Sequence, residues 1–310
     1  MPLHPQAAAF LEQLSRLKSP PIESVPLHLT RQALILGSAV KMAPAKLARI
    51  ETRTIAGPDG DDMKVRIYWP HGAGPFGVCQ YFHGGGWVLN SIDTHDDLAQ
   101  RLSEASGCVF VSVDYRLAPE HKYLAAIEDA FAALKWVVAT ANELQIDPHW
   151  IAVSGDSAGG NIAAALCLMT RDRGGPPIAF QALIYPIVDC DFDRPSYREN
   201  ADGYFLTTSQ MHWFWQHYVD SPEQMREPYA SPLRSDSLKG LPPALILTAE
   251  FDPLRDEGEA YAEALRAAGV AVDVRRYDGM IHAFIKRVDQ FDTALGAIRQ
   301  IGDALKRHFK

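Results

Sequence analysis

Short runs of apolar and β-branched residues alternate along this chain with longer stretches whose apolar positions recur every three or four residues. The short runs predict strands in "KVRIYW", "FGVCQYF", "CVFVSVDY", "WIAVSG", "AFQALIY", "ALILTAE" and "VDVRRY". The longer stretches predict helices in "HDDLAQRLSEAS", "AAIEDAFAALKWVVATANEL", "AGGNIAAALCLMTRD" and "DEGEAYAEALRAAG". Such alternation implies the α/β class: a mostly parallel central sheet flanked by helices on both faces. Near the end, Phe291, Leu295, Ile298, Ile301 and Leu305 recur at helical spacing, which predicts a docked terminal helix.

Two segments break the alternation: residues 1 to about 45, and a stretch from Ile187 to about Leu241 rich in Pro, Asp and aromatics. The second is far longer than the roughly 2–6 residues that usually join elements in α/β units. Both are read as parts of a helical cap. The expected organisation is N-terminal cap helices in 1–45 and a catalytic domain in 46–310, with a cap insertion at about 187–241. No internal repeat or low-complexity tract interrupts it.

Composition narrows the picture further. At 310 residues, 47% hydrophobic and 22% charged, the chain is long enough to bury a sizeable core. Its net charge of −8 and lack of a basic run argue against nucleic acid as a partner. The longest apolar run, "IAFQALIYPIV", is about half of the ~20 residues a spanning helix needs, so no membrane span is expected. Glu12, Arg16 and Lys18 interrupt or follow the apolar part of the N-terminus, which does not read as a signal peptide. Cys79, Cys108, Cys167 and Cys190 are widely spaced and read as buried free thiols, which favours a reducing, cytoplasmic location.

Candidate chemistry begins at Gly155-Asp156-Ser157-Ala158-Gly159, a G-x-S-x-G pattern. Alone the pattern is weak, but here an apolar strand precedes it and an alanine-rich helix follows. A serine on so sharp a turn is pushed out above the sheet, over the partial positive charge of the helix N-terminus. Gly155 and Gly159 keep strand and helix able to approach.

A serine hydroxyl needs a base, and the base needs an orienting group. His212 and His217 flank the aromatic run of the proposed cap, and His308 lies on the terminal helix, so each reads as a surface or packing residue. His282 instead follows the last strand candidate, at the carboxyl edge of the sheet where ligands bind in open α/β folds. Asp252 holds the matching place after "ALILTAEF", one helix and one strand earlier. Asp256 competes for the acid's role, although it should already lie in a helix, while Asp278 with Gly279 reads as a turn.

The stretch "QYFHGGGWVLN" sets Gly84, Gly85 and Gly86 directly after a strand candidate. Bare backbone there lets amides approach a ligand without a Cβ in the way. "HGGGWVL", "VSVDYRLAPEH", "GDSAGGN", "DPLRDEG" and "GMIHAF", in this order, resemble the hormone-sensitive-lipase-like (family IV) bacterial carboxylesterases from about Ile50 to the end. The resemblance implies a capped α/β-hydrolase fold with a Ser157–His282–Asp252 triad in the chain order Ser, Asp, His. It also implies an oxyanion hole formed by the amides of Gly85, Gly86 and Ala158, with His83 fixing the glycine loop rather than reacting. Three positions depart from the family pattern: Leu124 replaces a usual proline, Asn90 a common glycine, and Ala283 a frequent glycine.

The expected activity is hydrolysis of short- to medium-chain carboxylic esters through an acyl-enzyme, without metal or cofactor. Amide or peptide cleavage on the same triad is the alternative within enzymes, and a non-catalytic small-ligand receptor the alternative outside them. The expected partner is a small-molecule ester; a homodimer is left open. "DCDFD" superficially resembles a calcium loop, but Arg194 and Asn200 stand where its glycine and glutamate belong. Trp213, Phe214 and Trp215 fit either an acyl pocket or the packed interior of the cap.

Overall fold

The computed structural model describes residues 2–38 and 45–309. The last residues of the segment expected to form N-terminal cap helices, 39–44, lie outside the described residues. Eight strands form one sheet: β1 (Arg49–Ala56), β2 (Asp62–Trp69), β3 (Phe76–Phe82), β4 (Val109–Val113), β5 (Ile146–Asp156), β6 (Phe180–Ile184), β7 (Ala244–Phe251) and β8 (Val272–Ile281), in the order β1-β2-β4-β3-β5-β6-β7-β8. The β1–β2 and β2–β4 pairs are antiparallel, and every later pair is parallel. All parallel strands therefore deliver their carboxyl ends to one edge.

The helices are α1 (Pro5–Leu17), α2 (Leu27–Ser38), α3 (Asp96–Ser106), α4 (Ala125–Ala139), α5 (Ala141–Leu144), α6 (Ala158–Arg173), α7 (Pro195–Glu199), α8 (Thr208–Tyr218), α9 (Arg255–Ala267) and α10 (Asp292–His308). Side chains of one strand divide between two layers, as the period of two requires. In β3, Val78 and Phe82 join the layer that includes Ala130 of α4, Ile162 of α6 and Tyr261 of α9. Cys79 and Tyr81 join the opposite layer, with Leu98 of α3, Ile298 of α10 and Phe10 of α1. Central strands buried on both faces produce the unbroken apolar runs that made them legible.

Several expectations need correction. Strand β1 was not among the strand candidates; its "RIETRTIA" puts Arg49, Glu51 and Arg53 on a largely exposed edge, where no continuous apolar run is needed. Counting it makes Phe76–Phe82 the third strand. The single helix expected over 125–144 breaks at Thr140, where α4 ends and α5 begins. Leu295 does not face the core: it is 38% exposed, while Phe291, Ala294, Ile298, Ile301 and Leu305 form the buried stripe. Asp278-Gly279 is not a terminating turn but an irregularity within β8, with Gly279 at φ +75°.

The first helix closes over that irregularity. The His4 amide donates to Gly279 O at 3.0 Å, and Phe10 meets Phe291 edge-on at 5.6 Å. Helix α2 is tied instead to the carboxyl edge, where Arg31 donates to Val88 O and Ala118 O, each at 2.8 Å, and pairs with Glu120. Among the described residues, no helix is long and apolar enough to cross a membrane.

Candidate active site

Ser157 forms the turn from β5 into α6, with φ 57° and ψ −119°, a strained conformation for a residue with a side chain. The turn is tight enough that a Cβ on Gly159 would overlap the Phe82 carbonyl. The Ser157 amide donates to Ile184 O at 2.9 Å and its carbonyl accepts from Asn161 N at 3.1 Å, so the backbone is held from both sides. The side chain is mostly buried but opens on a cavity of about 1290 Å³.

His282 follows the last residue of β8, and Asp252 follows the last residue of β7. His282 Nε2 lies 3.0 Å from Ser157 Oγ, and Nδ1 lies 2.6 Å from Asp252 Oδ2. The other carboxylate oxygen of Asp252 accepts the Leu254 amide at 2.9 Å. Both oxygens of this buried acid are thus engaged. Asp256 does not share the position: it accepts the Ser196 amide at 2.8 Å and pairs with Arg255. His212, His217 and His308 pack against Phe192, Trp213 and Phe180, away from the serine.

The glycine loop faces the same cavity, which Gly84, Gly85, Gly86, Ser157 and His282 line together. Gly85 has φ +126°, and a Cβ there would overlap the Leu89 carbonyl. Among the described residues, no protein acceptor takes the amides of Gly85, Gly86 or Ala158. They remain available as donors beside the serine. His83 is buried below the loop, stacked on Tyr115 at 4.3 Å, with Nδ1 2.9 Å from Gly84 O. Burial, reinforced by nearby His95, pushes His83 down to about 3, so it is neutral at ordinary pH.

Residues 79–286 match the family described as alpha/beta hydrolase fold. A carboxylesterase of Mycobacterium tuberculosis is 48% identical over 243 residues, covering 76% of each chain. An arylesterase of Saccharolobus solfataricus is 37% identical over 289 residues, covering 92% of this chain and 93% of its own. The solved structure of a hyperthermophilic esterase from Pyrobaculum calidifontis superposes with a TM-score of 0.95 at 42% identity, covering 99% of both chains. The chain belongs to the hormone-sensitive-lipase-like branch of the alpha/beta hydrolase fold.

Two departures from the pattern of this branch have a local account. Asn90 and Ala283 replace common glycines at φ +72° and +61°, positions where glycine carries no strain. Asn90 repays the exchange: its Nδ2 donates to Gly84 O at 3.0 Å, adding a tie to the loop. Sequence reasoning gave it no such role.

Asp156 was singled out only as part of the serine motif, and its partners were not legible beforehand. Asp156, next to the serine, accepts from Tyr81 Oη at 2.6 Å and from the Gly84 amide at 3.0 Å through one oxygen, while its second oxygen faces His95 Nε2 at 3.4 Å. Burial alone would raise this carboxyl, yet His95, Lys286 and Tyr81 hold it well below the usual carboxylate range. Tyr81 and His95 lie in unremarkable stretches, and only the fold brings them here.

In the insertion, the aromatic run divides. Phe214 lines the cavity against Gly86, whereas Trp215 is buried against Trp87 at 4.8 Å. Trp87 stacks on Tyr218 at 4.0 Å and donates from Nε1 to Asn161 Oδ1 at 3.1 Å. The amide nitrogen of Asn161 donates to Ile187 O at 3.0 Å and Ala230 O at 2.8 Å. Buried Glu257 secures the insertion's root, its Oε1 accepting the amides of Val188 and Asp189 at 2.8 and 3.3 Å. Asp189, from the rejected calcium-like stretch, pairs with Arg194 and Arg234, each at 2.6 Å. Among the described residues, no group of three or more His, Cys, Asp or Glu could hold a metal ion.

Proposed function

We propose that the protein hydrolyses carboxylic esters of short to medium chain length through an acyl-enzyme intermediate. Ser157 Oγ attacks the ester carbonyl as its proton passes to His282 Nε2; Asp252 holds the imidazole tautomer and stabilises the imidazolium. The amides of Gly85, Gly86 and Ala158 receive the developing oxyanion, where each donor contributes about 3 kcal/mol to the transition state. The imidazolium then protonates the departing alkoxide. A water, activated by the same histidine, releases the acid from Ser157.

The observation that carries this reading is the hydrogen-bonded line from Asp252 Oδ2 through His282 to Ser157 Oγ, with contacts of 2.6 and 3.0 Å. Helix α2 and the insertion carrying α7 and α8 act as the cap: Leu34, Ile35, Leu206, Met211 and Phe214 contribute to the cavity wall and favour acyl chains of modest length. The cysteines are free thiols, Cys79, Cys108 and Cys167 buried as expected and Cys190 only half-buried, and they support a cytoplasmic location. A homodimer is compatible with this reading.

Purified Ser157→Ala protein tests it against p-nitrophenyl butyrate. The expected result is loss of nearly all turnover with the fold intact by circular dichroism; turnover at the wild-type rate would overturn the assignment.

A further inference from the structure

Lys286 ends the 3₁₀ turn Phe284–Lys286, four residues beyond His282, and lines the cavity that holds Ser157. Most charges around it are matched. Arg66 pairs with Asp93 at 2.7 Å and Asp96 at 3.0 Å, and Asp97 pairs with Arg101 at 2.7 Å. The Arg287 guanidinium lies over the rings of Phe10 and Phe205, at 4.5 and 4.9 Å, where Asp289 also acts on it. Asp292, from the helix packed on this turn, bonds Gln6.

Lys286 has no such match. Asp156 attracts it, but the oxygens of that acid are already directed to Tyr81, Gly84 and His95. Among the described residues, no carboxylate oxygen lies within ion-pair reach of Lys286 Nζ. Burial lowers Lys286 to about 8, Asp156 opposing and Arg287 adding to the shift. The ammonium is still largely charged at pH 7. His95 and His83, on both of which Lys286 acts, are lowered by burial and neutral there.

A partly desolvated ammonium without a counter-ion, in the wall of a cavity that also holds a nucleophile, favours a ligand that brings a negative charge. We propose that Lys286 is a specificity residue, pairing with a carboxylate carried by the ester substrate on either its acyl or its alcohol part. The preferred class is then the half-ester or carboxylate-bearing ester. Neutral esters bind without this pairing. The inference rests on the esterase reading above.

Two substrate pairs separate the sources of the carboxylate. In the acyl arm, p-nitrophenyl hemisuccinate is compared with p-nitrophenyl butyrate; in the alcohol arm, 3-carboxyphenyl butyrate is compared with phenyl butyrate. The quantity read is the anionic-to-neutral ratio of kcat/KM for wild type, Lys286→Met and Lys286→Arg. The expected result is an approximately tenfold fall of the ratio in Lys286→Met in at least one arm, retained by Lys286→Arg. In wild type the ratio should also fall as pH rises through about 8, because the lysine loses its charge, whereas in Lys286→Arg it should stay flat. A ratio unchanged among the variants and across pH in both arms would overturn the proposal. If Lys286→Met fails to fold, the wild-type and Lys286→Arg pH profiles decide it. Failure of wild type to cleave any neutral ester would instead remove the esterase reading.

Discussion

The Asp156 carboxylate accepts the amide of Gly84 at 3.0 Å, joining the residue beside the serine to a loop 72 positions earlier in the chain. The same oxygen accepts Tyr81 Oη. Nucleophile and candidate oxyanion donors are therefore held by a shared buried acid.

Replacing Asp156 by Ala releases the loop. Misplacement by about 1 Å at such a site costs on the order of 10²-fold, so kcat is expected to fall by about that factor while KM changes less. Tyr81 and His95 also lose their acceptor, at a cost of roughly 1–3 kcal/mol in stability. Asp156→Asn keeps an acceptor for Gly84 and should lose less activity. Steady-state kinetics with urea unfolding checks both halves; equal kcat in wild type and Asp156→Ala would refute the coupling.

Asp252→Asn is expected to preserve the fold while reducing kcat about 10⁴-fold, because an amide can hold His282 in the wrong tautomer. The measurement is burst and steady-state kinetics with an activated ester. A loss under tenfold would remove Asp252 from the orienting role.

Gly85→Ala meets the Leu89 carbonyl and must adopt φ +126°, a region side chains rarely occupy. Its amide can no longer hold its place, so a loss of about 10²–10³ in kcat is expected. A crystal structure of the variant should show the loop displaced between Gly84 and Leu89.

Glu257 supplies a pH signature. Burial, with neighbouring Asp189 adding to it, raises this carboxyl from 4.5 to about 8. The folded state therefore holds a proton that the unfolded state releases at lower pH. Stability from this group is complete below about 4.5, and is lost progressively as pH rises to about 8. Glu257→Gln keeps an oxygen for the Val188 and Asp189 amides but cannot ionise. The Tm of wild type relative to this variant should decline between pH 5 and pH 8 and level off above. Parallel Tm curves would show that Glu257 ionises alike in both states.

The sheet was legible because its central strands are buried on both faces and need continuous apolar runs. Strand β1 was not, since an exposed antiparallel edge tolerates Arg49, Glu51 and Arg53. Ser157, Asp252 and His282 could be singled out because each sits where a strand ends, and topology gathers strand ends. Tyr81, His95 and Lys286 had no comparable signal: their significance comes from neighbours 75, 61 and about 130 residues away, measured to Asp156. Leu295 shows the converse, since helical spacing cannot distinguish adjacent stripes when alanines such as Ala294 and Ala297 fill the core.

Asn161 receives Trp87 and donates to Ile187 and Ala230, so the residue after the three glycines, the start of the insertion and its later part are all fastened to one amide in the first turn of α6. Segments fastened at a common point open together rather than separately. Lifting the insertion to admit or release a molecule would loosen Trp87 as well. Movement of the insertion would thus be felt at the indole beside the glycines, while Asp156 keeps Gly84 anchored to the sheet.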